Sequence, residues 1–403
     1  MDRFSFKDKN VLVTGASGGV GSALIWPKHV ERRLKPILNK AFRGRSFKKR
    51  RWQLLQIESA IACNLKCVMC PWKQASKQGE NRGIMSETIW KSLRTYLPEA
   101  ESIDFTGGGE PLLQPELVNW VKEAHAAGCE TGILTNGLLL NKNKAEQMIS
   151  AGLNWICVSM DGATKEVYEQ IRIGSNFERV CENLGNITRL RVGKVPKTMI
   201  NFVLMPMNFH QVEEIISLTA RLGVDQVNYK QCDVIRGEDG NGYGLFNTKE
   251  TPEVLRLKKE LSKARRFAKK INVHTTTFPF TPEEQPVCDQ DPRNSIFIRH
   301  DGKVAPCINL ATGGPTTFLG RETTMPTVHY GCLLDDDLMD LWESDKCTFY
   351  RERFHNRVKA HDKKILESFV AGSSNRSKIM DAAKNAMPEA PEGCRICHYL
   401  YNI

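Results

Sequence analysis

The chain has 403 residues, of which 41% are hydrophobic and 26% charged, with a formal net charge of +11. That balance is ordinary for a soluble globular protein with room for two or more domains, and no apolar run reaches the length of a membrane span. The thirteen cysteines come without the charged, apolar and small-residue zones of a signal peptide. They argue against disulfides and for metal or redox chemistry in a reducing cytoplasm.

Val11-Leu12-Val13 reads as a short strand, followed by Thr14-Gly15-Ala16-Ser17-Gly18-Gly19-Val20-Gly21 and a helix opening over 22–25. This resembles the start of a short-chain dehydrogenase, in which such glycines let backbone N–H groups approach a pyrophosphate. Trp26-Pro27 interrupts at once, and no second βαβ unit, acidic strand end or Tyr-x-x-x-Lys set follows. A glycine-rich turn without its sheet does not hold NAD, so residues 1–25 read as a truncated remnant. Residues 26–52 form a basic leader. Between 28 and 51 there are eleven Lys or Arg and one acid, Glu31, interleaved with apolar side chains such as Leu34, Ile37, Phe42 and Phe47. Such a stretch suits an anionic membrane surface or an acidic partner; the alternative is a solvated leader without a partner. No nucleic-acid fold accompanies it.

From residue 53 to 235 the pattern becomes regular. Strands are expected over 54–57, 102–105, 130–134, 155–159, 198–204 and 226–231, with helices over 115–127, 142–151, 177–192 and 210–222 between them. Strands alternating with helices predict a parallel sheet. About six units predict an α/β fold, a partial (β/α)6 TIM-like barrel, with its chemistry at the C-terminal strand ends. Cys63-Asn64-Leu65-Lys66-Cys67-Val68-Met69-Cys70 falls after the first strand. Three thiolates at that spacing hold three irons of a [4Fe–4S] cube and leave the fourth open to a small ligand. Thr106-Gly107-Gly108-Gly109-Glu110-Pro111 follows the second strand, Asn136 the third and Met160-Asp161 the fourth.

Residues 236–287 read as a connecting segment, and 288–403 as a small α+β domain with its own cysteines. Cys288 and Cys307 precede a C-x-x-C pair, Cys394 and Cys397. Four thiolates suit a fully ligated second cluster. Residues 294–305 read as a hairpin carrying Cys307, and 338–343, with Trp342, as a helix. The polar stretch 358–391 reads as an inserted helical or mobile excursion. Cys332 and Cys347 lack a partner at C-x-x-C spacing and read as ordinary thiols. Cys129, Cys157, Cys181 and Cys232 read as core residues.

C-x-x-x-C-x-x-C after the first strand and Gly-Gly-Glu-Pro after the second resemble the radical S-adenosylmethionine (SAM) superfamily, over roughly residues 50–235. The resemblance implies that Cys63, Cys67 and Cys70 hold a [4Fe–4S] cluster and that SAM chelates its open iron. It places Gly108, Gly109 and Glu110 at the SAM amino group, where a carboxylate suits an ammonium. Asn136, Ser159 and Asp161 would contact SAM, the last two at its ribose or methionine end. Met69 stands where the family usually has an aromatic residue, and Trp72 is the nearby candidate to replace that contact. The second cysteine set resembles the SPASM extension or its single-cluster form, twitch. With no cysteine after Cys397, the single auxiliary [4Fe–4S] cluster fits better.

The implied activity is reductive cleavage of SAM to a 5′-deoxyadenosyl radical that takes hydrogen from a substrate C–H bond. An auxiliary cluster favours a net two-electron oxidation, with peptide or protein maturation as the enzymatic alternative. The implied partners are a small-molecule or peptide substrate and a flavodoxin- or ferredoxin-like reductant. From other classes, a short-chain NAD(P) dehydrogenase lacks most of its fold here, and a non-catalytic electron carrier needs neither an open cluster nor the Gly-Gly-Glu loop. Zinc is a poor match to a three-cysteine loop inside a barrel.

Overall fold

The computed structural model describes residues 50–72, 83–234, 236, 242–372 and 374–403. The dehydrogenase-like start at 1–25 and the basic leader up to residue 49 lie outside the described residues.

Six strands, β1 (Trp52–Ile57), β2 (Ala100–Asp104), β3 (Glu130–Thr135), β4 (Trp155–Ser159), β5 (Lys197–Leu204) and β6 (Gln226–Gln231), pair in parallel and in sequence order. Parallel neighbours need crossovers long enough to return the chain. These are supplied by α1 (Glu87–Arg94), α2 (Leu117–Ala126), α3 (Lys142–Ser150), α4 (Lys165–Ile171), α5 (Phe177–Leu190) and α6 (Glu214–Arg221). The strands carry the two-residue period this needs. In β5, Thr198, Ile200, Phe202 and Leu204 are buried, while Met199, Asn201 and Val203 on the other face are half-buried. That second face carries a polar cluster: Asn228 on β6 donates to Asn201 at 3.0 Å and accepts from Thr276 at 2.7 Å.

The six expected units are present, and the sheet runs on at both edges. The stretch read as a connecting segment supplies α7 (Pro252–Lys270) and β7 (His274–Thr277), which adds a parallel strand beside β6. Thr251 caps α7, Pro252 opens it, and Lys269 and Lys270 lie in its last turn, which suits the helix dipole. On the other side β8 (Ser295–Ile298) pairs in parallel with β1 and antiparallel with β9 (Lys303–Ala305). That hairpin follows the expectation for 294–305 and leads into Cys307 and the short α8 (Ile308–Thr312).

Beyond it come the hairpin β10 (Gly314–Phe318) and β11 (Arg321–Met325), then β12 (Gly331–Cys332), α9 (Leu338–Glu343), α10 (Asp345–Val370), α11 (Arg376–Asn385) and α12 (Glu392–Arg395). The polar stretch 358–391 is therefore largely helical. Arg357, 1% exposed, holds α10 in place. Its guanidinium donates to the Pro286 carbonyl at 3.2 Å, the Gln285 carbonyl at 3.1 Å and Glu284 at 2.7 Å, and also reaches the Pro388 carbonyl. One side chain thus ties the segment before Cys288 to the segment before Cys394.

Large aromatic residues anchor the helices to the sheet. Trp90 of α1 stacks on Trp120 of α2 with centroids 4.7 Å apart, and both are essentially inaccessible. Each such burial stabilises by roughly 1.5–3 kcal/mol, and the stacking adds about 0.5–1.5 kcal/mol.

Candidate metal and cofactor centre

The loops after β1, β2, β3 and β4 meet at one end of the sheet. The cysteine loop runs from Cys63, which is exposed, through buried Cys67 to half-buried Cys70. It is held like an extra strand against the end of α4: Lys66 N–H donates to the Ile173 carbonyl and Val68 N–H to the Ile171 carbonyl, both at 2.9 Å. Burial pushes the Cys70 thiol up to about 11, and the neighbouring Cys67 and Cys63 add to the rise. Cys63, although exposed as a residue, is raised too, chiefly by the partial covering of its thiol. Thiols in such a group ionise when a cation takes them as ligands.

The glycines of the second loop are required by close approach. A Cβ on Gly107 would lie 2.3 Å from the Glu58 side chain, and one on Gly109 would lie 2.3 Å from the Ala62 carbonyl. The Glu110 N–H then donates to that carbonyl at 2.8 Å. The Glu110 side chain, 1% exposed, is held from within the protein. Its carboxylate accepts from Thr135 Oγ1 at 2.6 Å, Asn136 N–H at 2.7 Å and Leu112 N–H at 3.0 Å. Those three donors occupy most of its lone pairs, so Glu110 ties the β2 loop to the β3 loop. Asn136 extends the tie, donating from Nδ2 to Asn64 at 2.8 Å beside Cys63.

Asp161, fully buried after β4, is part of an ion pair that sequence reasoning missed. Arg172 donates to its Oδ2 from Nε at 2.7 Å and from Nη2 at 2.6 Å, and Val203 N–H donates to Oδ1 at 2.7 Å. The third guanidinium nitrogen faces Cys67 Sγ at 3.7 Å. Burial works against the charge on Arg172, but Asp161 and Cys67 outweigh it and the guanidinium holds its proton more tightly. The one sequence signal for Arg172 was a charge between two isoleucines at the end of a helix. Ser159 lies half-buried at the end of β4, paired in register with Asn201. Trp72 packs against Phe297, Ala305, Ile308 and Ala311, beneath the Arg236 guanidinium at 5.1 Å. Met69 instead joins Ile171, Met205 and Cys232.

The four C-terminal cysteines are drawn from well-separated stretches into one buried neighbourhood. Burial raises Cys394 well above the ordinary thiol range, with Cys288, Cys307 and Cys397 adding to it. Cys288 is likewise raised by burial and then by Cys307 and Cys397, and Cys397 is pushed up to about 12. Asn309 Nδ2 donates to Cys397 Sγ at 3.5 Å. Among the described residues, no three His, Cys, Asp or Glu side chains close around a single metal ion. Four thiols, Cys288, Cys307, Cys394 and Cys397, are the donor set that a fully ligated cluster takes. Cys332 faces the Asp301 carbonyl at 3.7 Å, and Cys347 is buried beside Tyr330 and Arg351. Cys129, Cys157 and Cys232 are buried and Cys181 is half-buried.

Residues 57–219 match the family model of the radical SAM superfamily, and residues 288–366 match that of an iron-sulfur cluster-binding domain, SPASM. A Pyrococcus furiosus protein named tungsten-containing aldehyde ferredoxin oxidoreductase cofactor-modifying protein is 27% identical over 305 residues, which cover 74% of this chain and 82% of that one. A probable GTP 3′,8-cyclase of Saccharolobus islandicus is 29% identical over 213 residues, covering 52% of this chain and 64% of the relative. Two solved structures share the fold. One is native anSMEcpe with bound AdoMet and Cp18Cys peptide, at 19% identity and a TM-score of 0.55, covering 75% of this chain and 82% of that one. The other is Streptococcus suis SuiB bound to S-adenosylmethionine, at 17% identity and a TM-score of 0.53, covering 80% of this chain and 72% of that one.

Proposed function

Because the chain belongs to the radical SAM superfamily and carries an iron–sulfur cluster-binding domain after its barrel, we propose specific residues for each part of the reaction. Cys63, Cys67 and Cys70 hold the SAM-binding [4Fe–4S] cluster. Cys288, Cys307, Cys394 and Cys397 hold one auxiliary [4Fe–4S] cluster. With SAM bound and one electron from an external reductant, the first cluster would supply the cleavage of SAM to methionine and a 5′-deoxyadenosyl radical for hydrogen abstraction, and the second would supply an acceptor for the electron left on the substrate. The observation that carries the reading is the pairing of an open three-thiol loop with a separate, buried four-thiol group.

The other residues position and shield. Arg172 places a positive charge beside Cys67, and Asp161 prevents that charge from swinging away. Glu110 and Asn136 fix the loops around the thiols. Gly108 and Gly109 let backbone come close enough to line a SAM pocket, and Ser159 sits at its rim. Trp72 fills the space between the cysteine loop and the auxiliary domain, with its ring against Gly108.

The reaction class we favour is a net two-electron oxidation of a peptide or small polar molecule, with maturation of a peptide or protein as the second form. Two solved structures of the same fold carry peptides by title, anSMEcpe with Cp18Cys and SuiB with precursor peptide SuiA. The Pyrococcus relative is named for modifying a cofactor. An external one-electron donor of flavodoxin or ferredoxin type completes the system. No described helix is long and apolar enough to cross a membrane; we place the protein in the cytoplasm, with residues 28–51 as its one candidate contact with an anionic membrane surface. The test is anaerobic reconstitution followed by addition of SAM and dithionite. The expected products are 5′-deoxyadenosine and methionine, and both should vanish when Cys63, Cys67 and Cys70 are all changed to Ala.

A further inference from the structure

Glu58 and His300 stand 242 residues apart in sequence and touch inside the protein. Glu58 follows β1 directly and lies five residues before Cys63; His300 sits in the turn of the β8–β9 hairpin, seven residues before Cys307. His300 Nδ1 is 2.6 Å from Glu58 Oε2, and both side chains are 4% exposed. The His300 backbone N–H also points at Oε2, at 3.4 Å. The other oxygen, Oε1, accepts the Gly108 N–H at 2.9 Å. With backbone donors on both oxygens, the hydrogen-bond network is best completed with Glu58 as the acceptor and His300 Nδ1 as the donor.

The same carboxylate therefore joins three parts of the chain: the entry to the cysteine loop, the glycine loop and the hairpin that presents Cys307. The joint is tight. A Cβ on Gly107 would lie 2.3 Å from Glu58 Cγ and 2.6 Å from its Cβ, so the loop cannot move toward β1. The Glu58 backbone adds a bond from its N–H to the Ile298 carbonyl at 2.8 Å. His300 Nε2 is buried and has no hydrogen-bond partner among the described residues.

We propose that Glu58 and His300 are a positioning pair through which the auxiliary domain sets the Gly107–Glu110 loop for SAM. The proposal rests on the assignment of that loop to the SAM site. Neither side chain acts on the reacting atoms; each acts through the Gly108 N–H and the loop it holds. Hydrogen bonds to a buried carboxylate are strong and directional, so losing one end should loosen the loop while leaving both sets of thiols in place.

The experiment compares the full-length reconstituted wild type with His300→Ala, His300→Gln and Glu58→Gln. Iron content, KM for SAM and kcat for 5′-deoxyadenosine are measured with dithionite as reductant. His300→Ala and Glu58→Gln should keep their iron and raise KM for SAM about tenfold, with kcat at saturating SAM within about twofold of wild type, the pattern of lost uniform binding. His300→Gln, whose amide can still donate to Glu58, should recover most of the affinity, which generic damage to packing would not allow. If His300→Ala does not load iron, Glu58→Gln carries the test. Wild-type KM in the iron-loaded variants, or a fall in kcat with KM unchanged, would overturn the pairing. A wild-type protein that makes no 5′-deoxyadenosine would instead overturn the assignment of the site.

Discussion

Arg172 brings two nitrogens to a single oxygen of Asp161, at 2.7 and 2.6 Å, and leaves its third facing the Cys67 sulfur at 3.7 Å. The pair is almost wholly inaccessible. Removing one member strands the other charge, which costs about 3–5 kcal/mol when the partner cannot rehydrate. Arg172→Met should therefore lower the thermal midpoint and reduce SAM cleavage at least tenfold, a loss of about 1.4 kcal/mol or more at the transition state. Arg172→Lys should fall between, since an ammonium cannot span both Asp161 and Cys67. Calorimetry and 5′-deoxyadenosine yield read the two effects separately. A variant that is normal on both counts would show the guanidinium to be idle.

Iron content tests the division of the cysteines. Reconstituted protein should hold about eight irons per chain, and the Cys63, Cys67, Cys70 triple Ala variant about four, at four irons per cubane. Single Ala changes at Cys288, Cys307, Cys394 or Cys397 should damage the auxiliary cluster and spare SAM cleavage. Changes at Cys332 or Cys347 should leave the iron count unaltered. A count near twelve in the wild type would demand ligands beyond the seven assigned.

Glu110 distinguishes a tie from a ligand contact. If its carboxylate holds the loops, Glu110→Gln turns an NH2 toward groups that already donate and leaves a buried bond unmade, at about 1–3 kcal/mol. The midpoint of thermal unfolding should fall and SAM cleavage with it. A variant of wild-type stability whose sole defect is a raised KM for SAM would restore the carboxylate–ammonium contact.

We expect the basic leader and the glycine-rich start to be separable from the chemistry. A chain beginning at residue 50 should bind iron and cleave SAM as the full protein does, and the full protein should not bind NAD. Full-length protein should sediment with phosphatidylserine vesicles at low salt and detach as ionic strength shortens the Debye length. Saturable NAD binding lost on changing Gly15 and Gly21 would contradict the remnant reading, and a failure to pellet would remove the membrane contact.

Much of the barrel was legible because its signals are local. Alternation in β5, the caps of the helices and the turn residues at strand ends all act within a few positions, and the six strands appeared within two residues of their expected limits. The edges were harder to read. His274-Thr275-Thr276-Thr277 is short and half-exposed, and pairing with β6 is what makes it a strand. β8 was visible as part of a hairpin, but its alignment beside β1 depends on the whole barrel being present.

The sequence by itself determined the chemistry of the donors. Cys63, Cys67 and Cys70 are close in the chain, so their spacing restricts what they can hold before anything folds, and the Gly-Gly-Glu run follows the same logic. Tertiary structure decided what each charged group is for. Glu110 reads from the sequence as a ligand contact, and the fold adds a second role by bringing Thr135 and Asn136 to its carboxylate. Arg172 carries only a faint local mark and Glu58 none, because a buried charge is chosen by a partner from another element: Asp161 and Cys67 for one, His300 and Gly108 for the other. Burial makes such partners obligatory, and which residues are buried together is settled only when the sheet has brought its loops to one end.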